Sequence, residues 1–96
     1  MNQYEKILRH YGIYNQTRQL MEECAELAAA ASHCLRSNGD PKDIKKLIEE
    51  FADVNVVFEQ LKIAYNINSH AIDGMMRAKI ERTNLRMKEE TKHEAL

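Results

Sequence analysis

The chain has 96 residues, of which 44% are apolar, and a formal net charge of −1. One domain of this size can form a core without disulfides or a structural metal. The charge balance argues against a nucleic-acid coat or a membrane-surface protein, and no apolar run approaches the roughly 18 residues that span a bilayer. Because there is no export leader and Cys24 and Cys34 lie too far apart on one predicted helix for a disulfide, we expect a cytoplasmic protein.

Glycine and proline are almost absent, and the few turn residues divide the chain into helices. A short first helix, with apolar residues at helical spacing, stops at Gly12. A second helix is predicted from about residue 15 to 37, where Asn38 and Gly39 form a favourable left-handed end.

The second half of the chain predicts two further helices. Asp40 can cap a third helix that starts at Pro41 and continues to about residue 65. Ser69 is predicted to cap a fourth helix that continues to about residue 90, followed by a frayed tail over residues 91–96. Three long helices and a short N-terminal one predict an all-α antiparallel helical bundle in a single domain over residues 1–96, completed by homo-oligomerisation.

Carboxylates stand beside the apolar face of each of the two central helices. In the stretch MEECAELAAAA, helical projection puts Glu23 and Glu26 on the flank of the apolar stripe and turns Glu22 outward. The third helix repeats this pattern with Glu50 and Asp53. The predicted core stripes are Leu20, Cys24, Leu27, Ala31, Cys34 and Leu35 on the second helix, and Ile44, Leu47, Ile48, Phe51, Val54, Phe58, Leu61 and Tyr65 on the third.

An antiparallel hairpin would bring the two acidic pairs to the same height. Four partly desolvated carboxylates repel one another, and a divalent cation relieves that repulsion. Ligands that are all oxygen favour Mg²⁺, with Mn²⁺ as the second choice, and Mg²⁺ commonly bridges to phosphate oxygens. The sequence therefore predicts a metal site and a phosphate-containing substrate. The simpler alternative for each pair is a solvated helix flank.

The order Glu22-Glu23-x-x-Glu26, a spacer, then Glu50-x-x-Asp53 resembles the signature of the MazG-like all-α nucleoside triphosphate pyrophosphohydrolases. The likeness extends through YGIYNQTRQLMEECAEL and EEFADVNVVFEQL. It implies Mg²⁺-dependent hydrolysis of a nucleoside triphosphate to the monophosphate and pyrophosphate. The Mg²⁺ ligands it implies are Glu23, Glu26, Glu50 and Asp53, and Glu22 is a further catalytic member of the motif.

Substrate contacts are expected from two places. Lys79 and Arg82 lie on a basic strip of the fourth helix, and an arginine fork suits phosphate oxygens. The family position adds Asn84, and Gln16 lies on the same strip of the second helix as Glu23. Basic residues late in a helix also offset its dipole, which is the alternative interpretation of the basic strip.

Apolar residues outside the core stripes, together with the likeness to the family, predict a homodimer or a dimer of dimers. Three other functions stay open at this stage. They are a non-catalytic helical dimer acting as an adaptor, a nucleotide-binding sensor, and a related phosphohydrolase acting on phosphoribosyl-ATP.

Overall fold

A computed structural model describes the backbone of residues 1–94 and the side chains through Lys92. Within residues 1–94 the chain is helical throughout, without strands, which confirms the all-α prediction. The helices are α1 (Gln3–Tyr11), α2 (Ile13–Ser37), α3 (Pro41–Ala64) and α4 (Ser69–Glu94). The helix α4 continues through most of the predicted frayed tail, and residues 95 and 96 lie outside the described part.

The turn between α2 and α3 has the conformation that its residues predict. Asn38 and Gly39 both have positive φ values, 55° and 81°. The Gly39 amide donates a 2.9 Å hydrogen bond to the Cys34 carbonyl oxygen, which closes the last turn of α2. The Asp40 side chain then accepts a 2.9 Å hydrogen bond from the Lys42 amide and caps α3.

The predicted cap of α4 was wrong by one residue. Ser69 is already the first residue of the helix. Asn68 caps it, because its Oδ1 accepts a 2.8 Å hydrogen bond from the His70 amide. An amide side chain one position before the helix reaches the first unpaired amides, and Ser69 inside the helix cannot do so.

The helices α2 and α3 form an antiparallel hairpin, and α1 packs across both of them. Among the described residues, α4 makes at most a marginal contact with the other helices and is exposed along almost its whole length. The chain therefore measures 59 × 34 × 19 Å and has a radius of gyration of 17.8 Å, whereas a compact domain of 100 residues has about 13 Å. Within residues 1–94, α2 and α3 form the antiparallel part of the predicted bundle, while α4 projects from this hairpin.

The face that each central helix buries also differs from the prediction. The apolar residues buried in the hairpin include Ala30, Val57 and Leu61, and they alternate with buried polar side chains. Half of the residues in the two predicted core stripes are exposed instead: Leu35 is 84% exposed, Ile48 is 62% exposed and Cys24 is exposed. Leu61 is the stripe residue that the structure buries, and the rest are half-buried. Periodicity shows which residues share a face, but it does not show which neighbour that face meets.

None of the helices described over residues 1–94 combines the length and the apolar character that crossing a membrane requires.

Candidate metal centre

The α2–α3 hairpin brings the four predicted carboxylates together. Glu23 and Glu26 from α2 meet Glu50 and Asp53 from α3, and one oxygen atom of each lies within 4.8 Å of the others. Glu23 lies as many residues before Asn38 as Asp53 lies after it. Glu26 and Glu50 form a second such pair, closer to the turn. The turn at Asn38 therefore sets the register, and the prediction that the two pairs meet is confirmed.

Two of these carboxylates are buried inside the hairpin. Glu50 is only 2% exposed and Glu23 only 9%. Glu50 Oε1 lies 3.0 Å from the Lys46 ammonium, and Glu23 Oε1 accepts a 2.7 Å hydrogen bond from the Gln19 side chain. The second oxygen of each, Oε2, is buried without a hydrogen-bond partner in the part of the chain that the structure describes.

A buried carboxylate oxygen without a partner is costly, on the order of 1–3 kcal/mol or more for a charged group. Two such oxygens in one cluster are therefore a strong departure from ordinary packing. The projection had placed the acidic pairs beside the core. The structure instead puts Glu23 and Glu50 into the helix interface, so the carboxylates occupy the place that the apolar stripes were expected to take.

Mutual repulsion is visible at the exposed edge of the cluster. The pKa of Glu26 is raised, first by the negative charge of Glu23, then by that of Glu50, and to a lesser degree by burial. The pKa of Lys46 is raised as well, because its hydrogen bond to Glu50 and the attraction of that negative charge favour the protonated ammonium. The cluster therefore carries more negative charge than the nearby lysine compensates.

These residues fit a metal ion. Four carboxylates supply oxygen ligands, two of them with buried oxygens that lack a partner, while Glu26 and Asp53 are exposed and leave one side of the cluster open. An all-oxygen set of this kind suits a hard divalent cation that keeps water or phosphate oxygens in its remaining positions.

Two further predicted site residues lie on α2: Glu22 adjoins Glu23 in the sequence, and Gln16 lies about two helical turns before it. Gln16 is buried and donates a 2.7 Å hydrogen bond to the Oε1 atom of Gln60. Glu22 is exposed, as projection indicated, and lines a polar groove of about 530 Å³. That groove is lined by Tyr11, Asn15, Gln16, Arg18, Gln19 and Glu22.

The three substrate-binding residues predicted on α4 are not brought to the carboxylates within the chain. Lys79, Arg82 and Asn84 are exposed on the projecting helix. Lys79 and Asn84 line a separate pocket of about 200 Å³ whose lining contains no carboxylate. Their contact with a substrate stays a prediction.

Sequence reasoning missed Gln60 and Lys46, although a signal for each was present. Lys46 stands four positions before Glu50 on a helix, the spacing at which opposite charges meet. Gln60 is as far from Asn38 as Gln16 is, so the hairpin register that pairs the carboxylates also pairs the two amides.

Comparison with known proteins adds no assignment: no family model, no curated protein and no solved structure matches this chain. The class that the fold and site define is therefore a helical hairpin with an acidic cluster that could hold a metal ion.

Proposed function

We propose that the protein is a Mg²⁺-dependent nucleoside triphosphate pyrophosphohydrolase, with Mn²⁺ as a possible substitute ion. The observation that carries the proposal is the pair of buried, unpartnered oxygens, Glu23 Oε2 and Glu50 Oε2, within a cluster of four carboxylates. The cost of burying such oxygens is offset when a cation binds them. The motif that supplies these residues also resembles the signature of the MazG-like enzymes.

In the proposed reaction, Glu23, Glu26, Glu50 and Asp53 hold the cation. When bound, the ion supplies positive charge to phosphate oxygens and makes water more acidic. A water oxygen forms a bond to the α-phosphorus, and the bond from that phosphorus to the oxygen bridging the α- and β-phosphates breaks. The bridging oxygen leaves with pyrophosphate, and one carboxylate of the set, or Glu22 beside it, takes the proton from water.

Assembly into a homodimer or a dimer of dimers is part of this proposal. Ile44, Ile48 and Phe51 form an exposed apolar face on α3, while α4 projects with its own apolar side chains exposed. Contiguous apolar surface of this kind is typical of an interface. A second copy covering it would also allow the α4 of the partner to bring its basic strip to the carboxylates, which the single chain does not do.

The assembly is tested by sedimentation velocity on the wild type and on Phe51→Glu. We expect a dimer or tetramer for the wild type and a shift to a smaller species for the variant, with Arg36→Glu as an exposed control outside this face. A monomeric wild type would contradict the assembly.

The proposed compartment is the cytoplasm. Cys24 and Cys34 are both free thiols in the described chain, in agreement with a reducing environment.

The enzymatic activity is tested by pyrophosphate release from all common ribo- and deoxyribonucleoside triphosphates, with Mg²⁺ or Mn²⁺. Glu23→Gln and Asp53→Asn keep the shape of the side chain and remove its charge, so we expect each to lower the rate by about 100-fold or more. Glu49→Gln, an exposed neighbour of the cluster, is the matched control and should retain the rate.

The outcomes separate the proposed function from its rivals. Nucleotide binding without pyrophosphate release would indicate a sensor, and turnover of phosphoribosyl-ATP alone would indicate the other phosphohydrolase. Equal rates in the wild type and in Glu23→Gln would contradict the mechanism. A protein that binds neither metal nor nucleotide would fit the adaptor.

A further inference from the structure

A second cavity adjoins the carboxylates on the side that faces the α2–α3 turn. It has a volume of about 210 Å³, about seven times the share of volume that one water molecule has in the liquid. Glu26, Ala29, Ala30 and His33 line it from α2, and Lys46 and Glu50 line it from α3. The small alanines leave this space open, and the residues around it combine two of the proposed metal ligands with a cation.

Lys46 is held at the edge of this cavity by one of those ligands. Its Nζ atom lies 3.0 Å from Glu50 Oε1, and its side chain is 60% exposed while that of Glu50 is buried. The ammonium stands on a flexible four-carbon stem with three rotatable donors. It can therefore leave Glu50 and stay within the cavity that it already lines.

A divalent cation on the four carboxylates would weaken the contact between Lys46 and Glu50. The cation and the ammonium are both positive and compete for the same carboxylate, so their proximity is favourable only if an anion lies between them. A phosphate group that contacts the cation and extends into the cavity supplies that anion, since its oxygens accept hydrogen bonds from an ammonium. His33 offers a further ring nitrogen on the α2 side of the same space.

The two ends of the cluster differ in chemistry, and this gives the site a direction. Towards α1 lie the buried amide pair of Gln16 and Gln60 and the polar groove that contains Tyr11. Towards the turn lies the cavity with Lys46 and His33. Amides and an aromatic ring suit a nucleoside, whereas a lysine suits the charge-rich end of a polyphosphate.

We infer that Lys46 binds the pyrophosphate portion of the substrate, with the β- and γ-phosphates in the cavity beside Ala30 and the nucleoside towards Gln16. This inference rests on the proposed function. When the bond from the α-phosphorus to the bridging oxygen breaks, its electron pair stays on that oxygen, and the leaving pyrophosphate gains negative charge. Lys46 stabilises this charge directly, while the hydroxyl of the attacking water remains on the monophosphate and its proton passes to a carboxylate.

The test is calorimetric binding of the two products separately, in Mg²⁺, to the full-length wild type, to Lys46→Met and to Lys45→Met. Lys45 is an exposed lysine on the same helix, so its variant is a matched control for net charge. We expect Lys46→Met to bind pyrophosphate about 10- to 100-fold more weakly, the loss typical of one charge-assisted hydrogen bond, and to bind a nucleoside monophosphate as the wild type does. The control should bind both products normally.

Titration with Mn²⁺ alone is the second readout. Because Lys46 competes with the cation for Glu50, Lys46→Met should bind Mn²⁺ as tightly as the wild type or more tightly. Unchanged pyrophosphate affinity in Lys46→Met, an equal loss for both products, or weaker Mn²⁺ binding would each overturn the inference. If the wild type hydrolyses no nucleotide but Lys46→Met still binds pyrophosphate more weakly than the wild type does, the role of Lys46 is supported and only the proposed function is contradicted.

Discussion

Replacing Glu50 by Gln should separate the effect of the metal on stability from the packing of the hairpin. The substitution keeps the shape of a side chain that is 2% exposed and removes its charge. Loss of the Lys46 ion pair should cost at most about 1 kcal/mol, because the lysine is largely exposed. Removing a buried negative charge, whose Oε2 has no partner among the described residues, from a cluster of four carboxylates should return about 1–3 kcal/mol. In the presence of a chelator we therefore expect the variant to be as stable as the wild type or up to about 2 kcal/mol more stable.

Magnesium should reverse that order. At a concentration 100 times its dissociation constant, an ion that binds only the folded protein stabilises it by about 2.7 kcal/mol. For a domain of this size each kcal/mol moves the melting temperature by about 4–8 °C, so the wild type should gain about 11–22 °C. The variant should gain little, because it lacks a ligand that lies among the four.

The assay is thermal unfolding followed by circular dichroism, at fixed protein concentration, in chelator and in MgCl₂ with NaCl matching the ionic strength. Glu49→Gln removes the same charge from an exposed neighbour and should keep the full gain. A Mg²⁺-induced gain that is as large in Glu50→Gln as in the wild type, or one that Glu49→Gln also loses, would refute the reasoning.

Three other predictions concern charge, polar burial and backbone conformation. In chelator the raised pKa of Glu26 makes the folded state bind protons more strongly than the unfolded state, so stability should rise as the pH falls through that raised pKa towards 4.5. Urea unfolding across this range should show the trend for the wild type and a weaker one for Glu26→Gln. Gln60→Leu leaves the buried Gln16 amide without its acceptor and should cost about 1–3 kcal/mol, whereas the double variant with Gln16→Leu should recover most of that loss. Gly39→Ala should lower the free energy of unfolding by about 1–2 kcal/mol, because the φ of Gly39 is +81°. Gly74→Ala lies inside α4, where the added methyl group meets no atom outside the helix backbone within 4 Å, so it should stabilise the helix by about 0.5–1 kcal/mol. Denaturant unfolding checks the first change and helical ellipticity the second.

Local chemistry made the helices predictable from the sequence. Gly12, the Asn38–Gly39 pair and Asp40 act on the backbone within a few residues, so their roles follow from residue type and spacing. The cap at Asn68 was misplaced because two neighbouring polar residues offer similar caps, and only the geometry of the last loop distinguishes them. The register of the hairpin was also predictable, since a short turn fixes which residues lie at the same height.

Packing between distant elements was not predictable in the same way. The sequence by itself determined an all-α chain and the meeting of Glu23, Glu26, Glu50 and Asp53, because helical periodicity and one short turn are enough to fix both. Only the tertiary structure decided that Glu23 and Glu50 are buried between the helices, that half of the residues in the apolar stripes are exposed and that α4 stands apart. The physical reason is that a helix has several faces, and which face is buried depends on the free energy of contact with every available neighbour, including neighbours on other chains.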